Sequence, residues 1–204
     1  MITIAIDAAA ISKITDEFLG ATGKKVEVAR LRAMRNTAKW LGGEILKQVA
    51  RKERMPVRAL KKRVFVRPIK PGDGEASVWV GTEPVDVTTI GNPVQNKKGV
   101  NVGRFASYRG AFLARIYTGK EKVWIRKSSP FFEPSRYPTR YRAGDRGAHS
   151  DPTLMGRFPV VKAAVPIDGI AQDVAEKLKI LTYARFSNEF RHELNFELVV
   201  KGGK

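Results

Sequence analysis

Between Lys24 and Arg54 apolar residues recur at Leu31, Met34, Ala38, Leu41, Ile45 and Val49, in steps of three and four. That is the repeat of one face of an α-helix. At about 100° per residue the six fall in a stripe roughly 80° wide. Arg32, Arg35, Lys39, Lys47, Arg51 and Arg54 fall on the opposite side. The pattern predicts a long helix with one face on a core and a row of cations on the other. Gly42 and Gly43 interrupt it, each at about 1 kcal/mol relative to Ala, so the pair marks a kink or a close contact.

The remaining periodicities are shorter. Ile2, Ile4 and Ile6 alternate with smaller residues, as in a strand-like arm. Asp7 can cap a short helix carrying Ile11, Ile14 and Phe18, with Gly20 at its end. Met55-Pro56-Val57 turns the chain into a basic helical segment around Arg58 to Lys62. RVFVRPI and ASVWVGT, separated by PGDGE, read as a hairpin, and VDVTTI continues in the same style. Residues 91–107 read as a loop. AFLARIY and KVWIRK form a second hairpin across TGKE, and VVKAAV a last strand. Residues 133–157, rich in Pro, Gly, Tyr and Arg, read as a long loop. The closing helix starts at Pro166 and Asp168 and carries Ile170, Val174, Leu178 and Leu181 on one face. Its apolar spacing then shifts to Phe186, Phe190, Leu194 and Leu198, which calls for a kink near Thr182 to Phe186 or a second partner.

Helix, strands, helix is the order of an α+β fold: an antiparallel sheet of about four to six strands packed by a long basic N-terminal helix and a long C-terminal helix. The organisation expected is an arm and short helix over 1–23, then a single domain over 24–204.

Charge changes the picture more than composition does. The 204 residues, 43% of them hydrophobic, suffice for a sizeable core. Net charge is +18, and residues 24–70 hold 16 Lys and Arg against 3 Glu. That concentration points to a polyanion, whether nucleic acid or an acidic protein surface. A solvated charged face accounts for such a stripe as readily as a binding surface does. A membrane is not expected as partner, because no apolar run approaches the ~20 residues of a spanning helix and no lipidation motif is present. No signal peptide is expected, since Asp7 interrupts the apolar start. With no Cys, disulfides and thiolate metal sites are excluded.

Candidate chemistry is thin. His149 and His192 make no HExxH pair, and no metal, cofactor or small-molecule site is expected. Glu189, Glu193 and Glu197 have the i, i+4 spacing of a helix surface, suited to pairing with the basic helix or with a neighbouring subunit. A metal-dependent nuclease would need Asp73, Glu75, Glu83 and Asp86 to converge. No phosphate-cradling glycine motif and no nucleophile–base arrangement appears, so an enzyme is not expected. Trp79 and Trp124 could stack on bases, but they alternate with aliphatics in strands, where core or sheet-face packing is favoured. RYPTRYR puts Arg136, Tyr137, Arg140, Tyr141 and Arg142 in the long loop, where contact with a partner and a structural role are balanced. Any DNA contact is expected to be of the backbone kind, salt-sensitive and blind to sequence.

Three stretches together are similar to the minor tail protein Z family of lambda-like tailed phages. They are RNTAKWLGGEILKQVARKERMPVRALKKRVFVR, then GAFLARI leading into VWIRK, then FPVVKAAVP before a C-terminal helix ending NEFRHELNFELVVK. The resemblance covers residues from about 25 to the end, and 133–157 stand as an insertion relative to it. It implies a structural virion protein, a tail-completion or head–tail joining component at the head-proximal end of the tail, assisting tail assembly and placement of the genome end for ejection. The implied locations are the virion tail and, during assembly, the host cytoplasm. The implied partners are further copies in a ring, neighbouring tail and neck proteins, and packaged double-stranded DNA. The matched positions, Gly110, Ala111 and Phe112 with Pro159, Val161 and Lys162, carry an architectural role: the start of a strand and a strand edge near the C-terminal helix. For ring contacts the candidates are Phe186, Phe190, Leu194 and Leu198, with the N-terminal strand as a second candidate by addition to a neighbour's sheet edge. The alternative is a basic nucleic-acid-binding module that binds without regard to sequence.

Overall fold

The predicted basic helix forms as one unbroken element, α1, from Gly23 to Lys52. In the computed structural model the described residues are 23–73, 75–116, 119–138 and 160–201, together with the backbone of 2–7. The expected helix around Ile11, Ile14 and Phe18 lies outside them, as does most of 133–157. The chain divides into two compact units rather than the one domain expected. The first comprises residues 1–52, 60–82 and 169–204, and the second 53–59 and 83–168.

The fold is α+β, with antiparallel sheets and the two long helices packing together. In unit 1 the sheet is β1 (Ile2–Asp7), β2 (Val64–Val66) and β3 (Glu75–Val80), in the order β1-β3-β2. β2 and β3 are the expected hairpin, with Val64 opposite Val80, Phe65 opposite Trp79 and Val66 opposite Val78. The N-terminal strand does form, but it pairs along its whole length with β3, Ile2 opposite Val80 through Asp7 opposite Glu75. One of its edges is therefore used within the chain; in the order β1-β3-β2 it is an outer strand, and among the described residues no strand pairs with its other edge.

All six stripe residues of α1 are buried. So are Ala29, Ala33 and Thr37, a row of small residues beside Arg32 and Asn36. Gly42 accounts for its own presence: a Cβ there would stand 3.0 Å from Val64 Cγ1 and within 4 Å of Val66 and Val78, so the helix rests directly on β2 and β3. Gly43 has nothing within 4 Å of the same position. The close contact, not a kink, is the reason for Gly42, and no contact accounts for Gly43.

The C-terminal helix, α3, runs from Asp168 to Asn195 and ends in a π-helical turn, Phe196–Val200. Its buried row is Val174, Leu178, Thr182, Phe186, Phe190 and Leu194. Thr182 fills the apparent gap because its hydroxyl donates to the Leu178 carbonyl at 2.7 Å, which satisfies it without water. Phe186, Phe190 and Leu194 are 0% exposed, and the two rings stack at 6.0 Å. These residues belong to the core of unit 1, and Leu198 is half-buried. Phe186, Phe190 and Leu194 therefore do not face a neighbouring subunit. Leu181, expected in the core, is exposed instead, together with Ile180 (82%) and Tyr183.

Among the described residues unit 2 carries three further sheets. The described strands are thus spread over four small sheets rather than gathered in one. Residues 91–107 are not loop. They contain β5 (Pro93–Asn96), β6 (Gly99–Val102) and the start of β7 (Ala106–Arg109), an antiparallel meander. Its tight turn is set by Asn96, whose side-chain oxygen accepts from the Lys98 and Gly99 amides at 2.8 and 3.0 Å. VDVTTI is a two-residue strand, β4 (Val85–Asp86), followed by a helical turn, α2 (Val87–Ile90). Asp86 caps that turn, accepting from the Thr88 amide at 3.0 Å. The second hairpin is β8 (Phe112–Ala114) with β9 (Lys122–Arg126). The last strand breaks at Ala163 into β10 (Val160–Lys162), paired with β9, and β11 (Ala164–Val165), paired with β4.

Substituting the two glycines separates contact from propensity. Gly43→Ala is expected to stabilise unit 1 by about 0.5–1 kcal/mol. Gly42→Ala should gain less or lose stability, because Val64 must move. Equal gains at both positions in chemical denaturation would mean that no close contact exists.

Candidate polyanion-binding face

The cations of α1 do not act as one row. Arg32 is half-buried and its guanidinium lies 2.5 Å from the Glu197 carboxylate and 3.6 Å from that of Glu193. Asn36 donates to Glu189 and Glu193, both at 3.3 Å. The Glu189, Glu193, Glu197 ridge thus pairs with the basic helix, one of the two roles its spacing allows. Arg32 is spent on this clamp between α1 and α3, which corrects its assignment to a DNA-facing row. Arg35 remains exposed, but donates to the Ile69 carbonyl at 3.0 Å.

Beyond Arg35 the stripe opens. Lys39 and Arg51 are exposed and make no hydrogen bond or ion pair among the described residues. Lys47 is exposed and 4.0 Å from Glu44, a pair worth little in water. Arg54 falls in unit 2, exposed, with φ +50 in the turn that ends the helical run. Of the predicted stripe, Lys39, Lys47 and Arg51 are therefore what α1 presents outward in unit 1, and Lys52 beside them is exposed too.

Glu197 is almost fully buried. Burial disfavours its charge, but Lys201 at 3.1 Å and Arg32 more than offset that and hold the carboxyl below its ordinary value. A second staple lies nearer the start of α1. Arg30, 7% exposed, donates to both carboxylate oxygens of Glu27 at 2.7 Å and also to the Asp73 carbonyl. Glu27 accepts from the Gly72 amide at 3.1 Å. The pair fastens the β2–β3 connection to the first turns of α1. Sequence reasoning misses it, because Arg30 carries no apolar signal and only the i, i+3 spacing from Glu27 hints at it.

In unit 2 the loop residues separate. Tyr137 is 2% exposed, edge-on to Tyr108 at 5.9 Å and beside Phe132 at 5.7 Å, and burial pushes its hydroxyl up to about 12. It is a core residue of unit 2, not a partner contact. Arg136 caps Tyr108 at 4.6 Å and donates to the Ser107 carbonyl at 2.6 Å, so it too is committed within the unit. Arg140, Tyr141 and Arg142 lie outside the described residues.

The positions matched to the tail-protein family are architectural where described. Gly110 has φ +70, and a Cβ would meet Phe131 at 2.8 Å, so only glycine fits the turn before β8. Ala111 is buried, Phe112 begins β8, and Val161 is buried in β10. Lys162 lies 3.4 Å from Asp86, which Lys122 also contacts. Burial raises the Asp86 pKa, and Lys122, Thr88 and Lys162 together bring it below the ordinary value. Pro159 lies outside the described residues.

Of the four acids a nuclease would need, Asp73 and Glu75 belong to unit 1, and Glu83 and Asp86 to unit 2. Among the described residues no three or more of His, Asp and Glu are grouped to hold a metal. No helix among them is long and apolar enough to cross a membrane. His192 is exposed on α3, and His149 lies outside the described residues. Trp124 is buried, its indole donating to the Ala114 carbonyl at 3.0 Å, whereas Trp79 lies open on the sheet.

A double-mutant cycle on Arg32→Ala and Glu197→Ala is expected to give a coupling of about 1–2 kcal/mol, against near zero for Lys39→Ala with Glu197→Ala. Because the folded Glu197 value is depressed, its contribution is complete above the unfolded value of about 4.3 and is lost as pH falls through the folded value. Glu197→Gln should lower stability at neutral pH and flatten its decline over that acid window in urea titrations. An unchanged acid limb would remove Glu197 from the clamp.

Comparison with protein-family models, with curated proteins and with solved structures finds no match for this chain.

Proposed function

We propose that this chain is a structural protein of a tailed-phage virion, a tail-completion or head–tail joining component. In this role it sits at the head-proximal end of the tail, close to the packaged genome end. The observation that carries the proposal is the division of α1. Arg32 is neutralised by the α3 acids, while Lys39, Lys47 and Arg51 stay exposed and unspent. A short cationic track without base-reading groups suits duplex DNA that must be held and still slide, since phosphate contacts carry no sequence information. The order of the three tail-protein-like stretches and the architectural fit of Gly110, Phe112 and Lys162 support the same assignment.

Ring assembly needs a contact surface that the fold has not already used. Phe186, Phe190 and Leu194 are committed to the core, so the contact passes to the exposed face of α3 at Ile180, Leu181 and Tyr183. An exposed apolar cluster of this kind is what a neighbouring subunit covers.

Cryo-electron microscopy of the intact particle tests the proposal. The expected result is a ring at the head–tail joint with Lys39, Lys47 and Arg51 turned toward the lumen and Ile180 and Leu181 against a neighbouring copy. Cations paired with acidic neighbours would make the protein an assembly clamp with no DNA role. Particles lacking the chain would overturn the tail assignment and leave the nucleic-acid-binding module.

A further inference from the structure

The outer face of the unit 1 sheet carries an aromatic pair that neither core uses. Phe65 is 58% exposed and Trp79 40%, and the two are directly opposite each other on β2 and β3. Their neighbours Val64, Val66, Val78 and Val80 point to the other face, under α1, so the pair is not an extension of the core. Gly81 shapes it. A Cβ at Gly81 would stand 2.8 Å from the Trp79 ring, so the indole lies over the Gly81 backbone and presents its ring along the sheet.

The surround of the pair is cationic at the β2 side. Arg67 directly follows β2 and is exposed, its amide donating to the Ser77 carbonyl, while the Gly81 amide donates to the Arg63 carbonyl at the other end of the ladder. Lys61 and Lys62 immediately precede the strand, and both are exposed. Past Arg67 the face dips into a cleft of about 140 Å³ lined by Arg67, Pro68, Ile69, Asp73, Glu75 and Ser77. Its carboxylates repel phosphate, so an anionic chain is confined to the Lys61–Arg67 side.

The geometry points to a binding site for single-stranded nucleic acid: unpaired bases stack on Phe65 and Trp79 while the exposed Lys61, Lys62 and Arg67 hold the backbone. Two exposed rings flanked by cations match this occupant because every base offers a π-face and every linkage a negative charge. An apolar protein partner fits less well, since the pair is bordered by Arg67 and Ser77, with Thr3 of β1 at the register position beside Trp79, rather than by further apolar residues. This site is separate from the α1 cations and does not depend on the tail assignment.

The test is binding of a fluorescently labelled dodecathymidylate by the full chain, with a duplex of equal length measured at the same salt. Phe65→Ala and Phe65→Leu are expected to weaken single-strand binding by about 5- to 150-fold, the range for losing one stacked base. Duplex binding should be unchanged in both. Trp79→Phe, which keeps a ring over Gly81, should retain most of the affinity. Circular dichroism establishes that each variant folds, and Phe65, being the more exposed, is the safer position. Single-strand affinity retained in Phe65→Leu would overturn the site, because apolar area without a π-face would then suffice. Equal losses for single strand and duplex would overturn it as well.

Discussion

Unit 1 depends on one helix having two partners to satisfy. α1 must lie against β2 and β3 on one flank and α3 on another, and the means differ on each. On the sheet flank the device is absence: Gly42 lets the helix backbone approach Val64 so closely that a Cβ would crowd it at 3.0 Å. On the α3 flank it is charge: Arg32 and Asn36 meet a ridge of three glutamates, beside a row of Ala29, Ala33 and Thr37 small enough not to hold α3 away. An uncompensated Glu197 at that depth would be costly, and Arg32 and Lys201 remove the cost.

The same clamp divides the charge of the helix. A wheel drawn from the sequence gives six cations one side and therefore one role. The fold gives the N-terminal part of the stripe to internal pairing, at Arg32 and Arg35, and leaves Lys39, Lys47 and Arg51 to the solvent. Those three cations therefore do little to stabilise the fold. Exposed, unpaired cations contribute little to stability and a good deal to the field a polyanion meets.

What is legible in the sequence follows the physics of each signal. The α1 stripe is legible because six apolar positions at a 3.6-residue period suit one face of a helix and no strand. The β2–β3 and β8–β9 hairpins are legible from alternation with turn residues between. The meander of 93–109 is not, because Val94, Gln95, Asn96 and Asn101 are exposed and its strands carry little apolar alternation. The turn chemistry of Asn96 and Gly99 is its one clue. The α3 row is lost at Thr182, a polar residue satisfied by its own helix and so invisible to an apolar count. At the candidate site, a wheel gives direction but not neighbours. Arg32 needs Glu197, 165 residues away in sequence, to reveal its role, and the Phe65–Trp79 pair needs the strand register.

The central claim is that α1 is a clamp at one end and a cationic track at the other, and the salt dependence of duplex DNA binding tests it most directly. Each phosphate contact contributes roughly 0.9 to the slope of log affinity against log salt. Removing Lys39, Lys47 and Arg51 together should shrink that slope by about two to three without loss of folding stability. Arg32→Ala should do the reverse, lowering stability and leaving the slope unchanged. A slope that falls with Arg32→Ala and is indifferent to the other three would contradict the division.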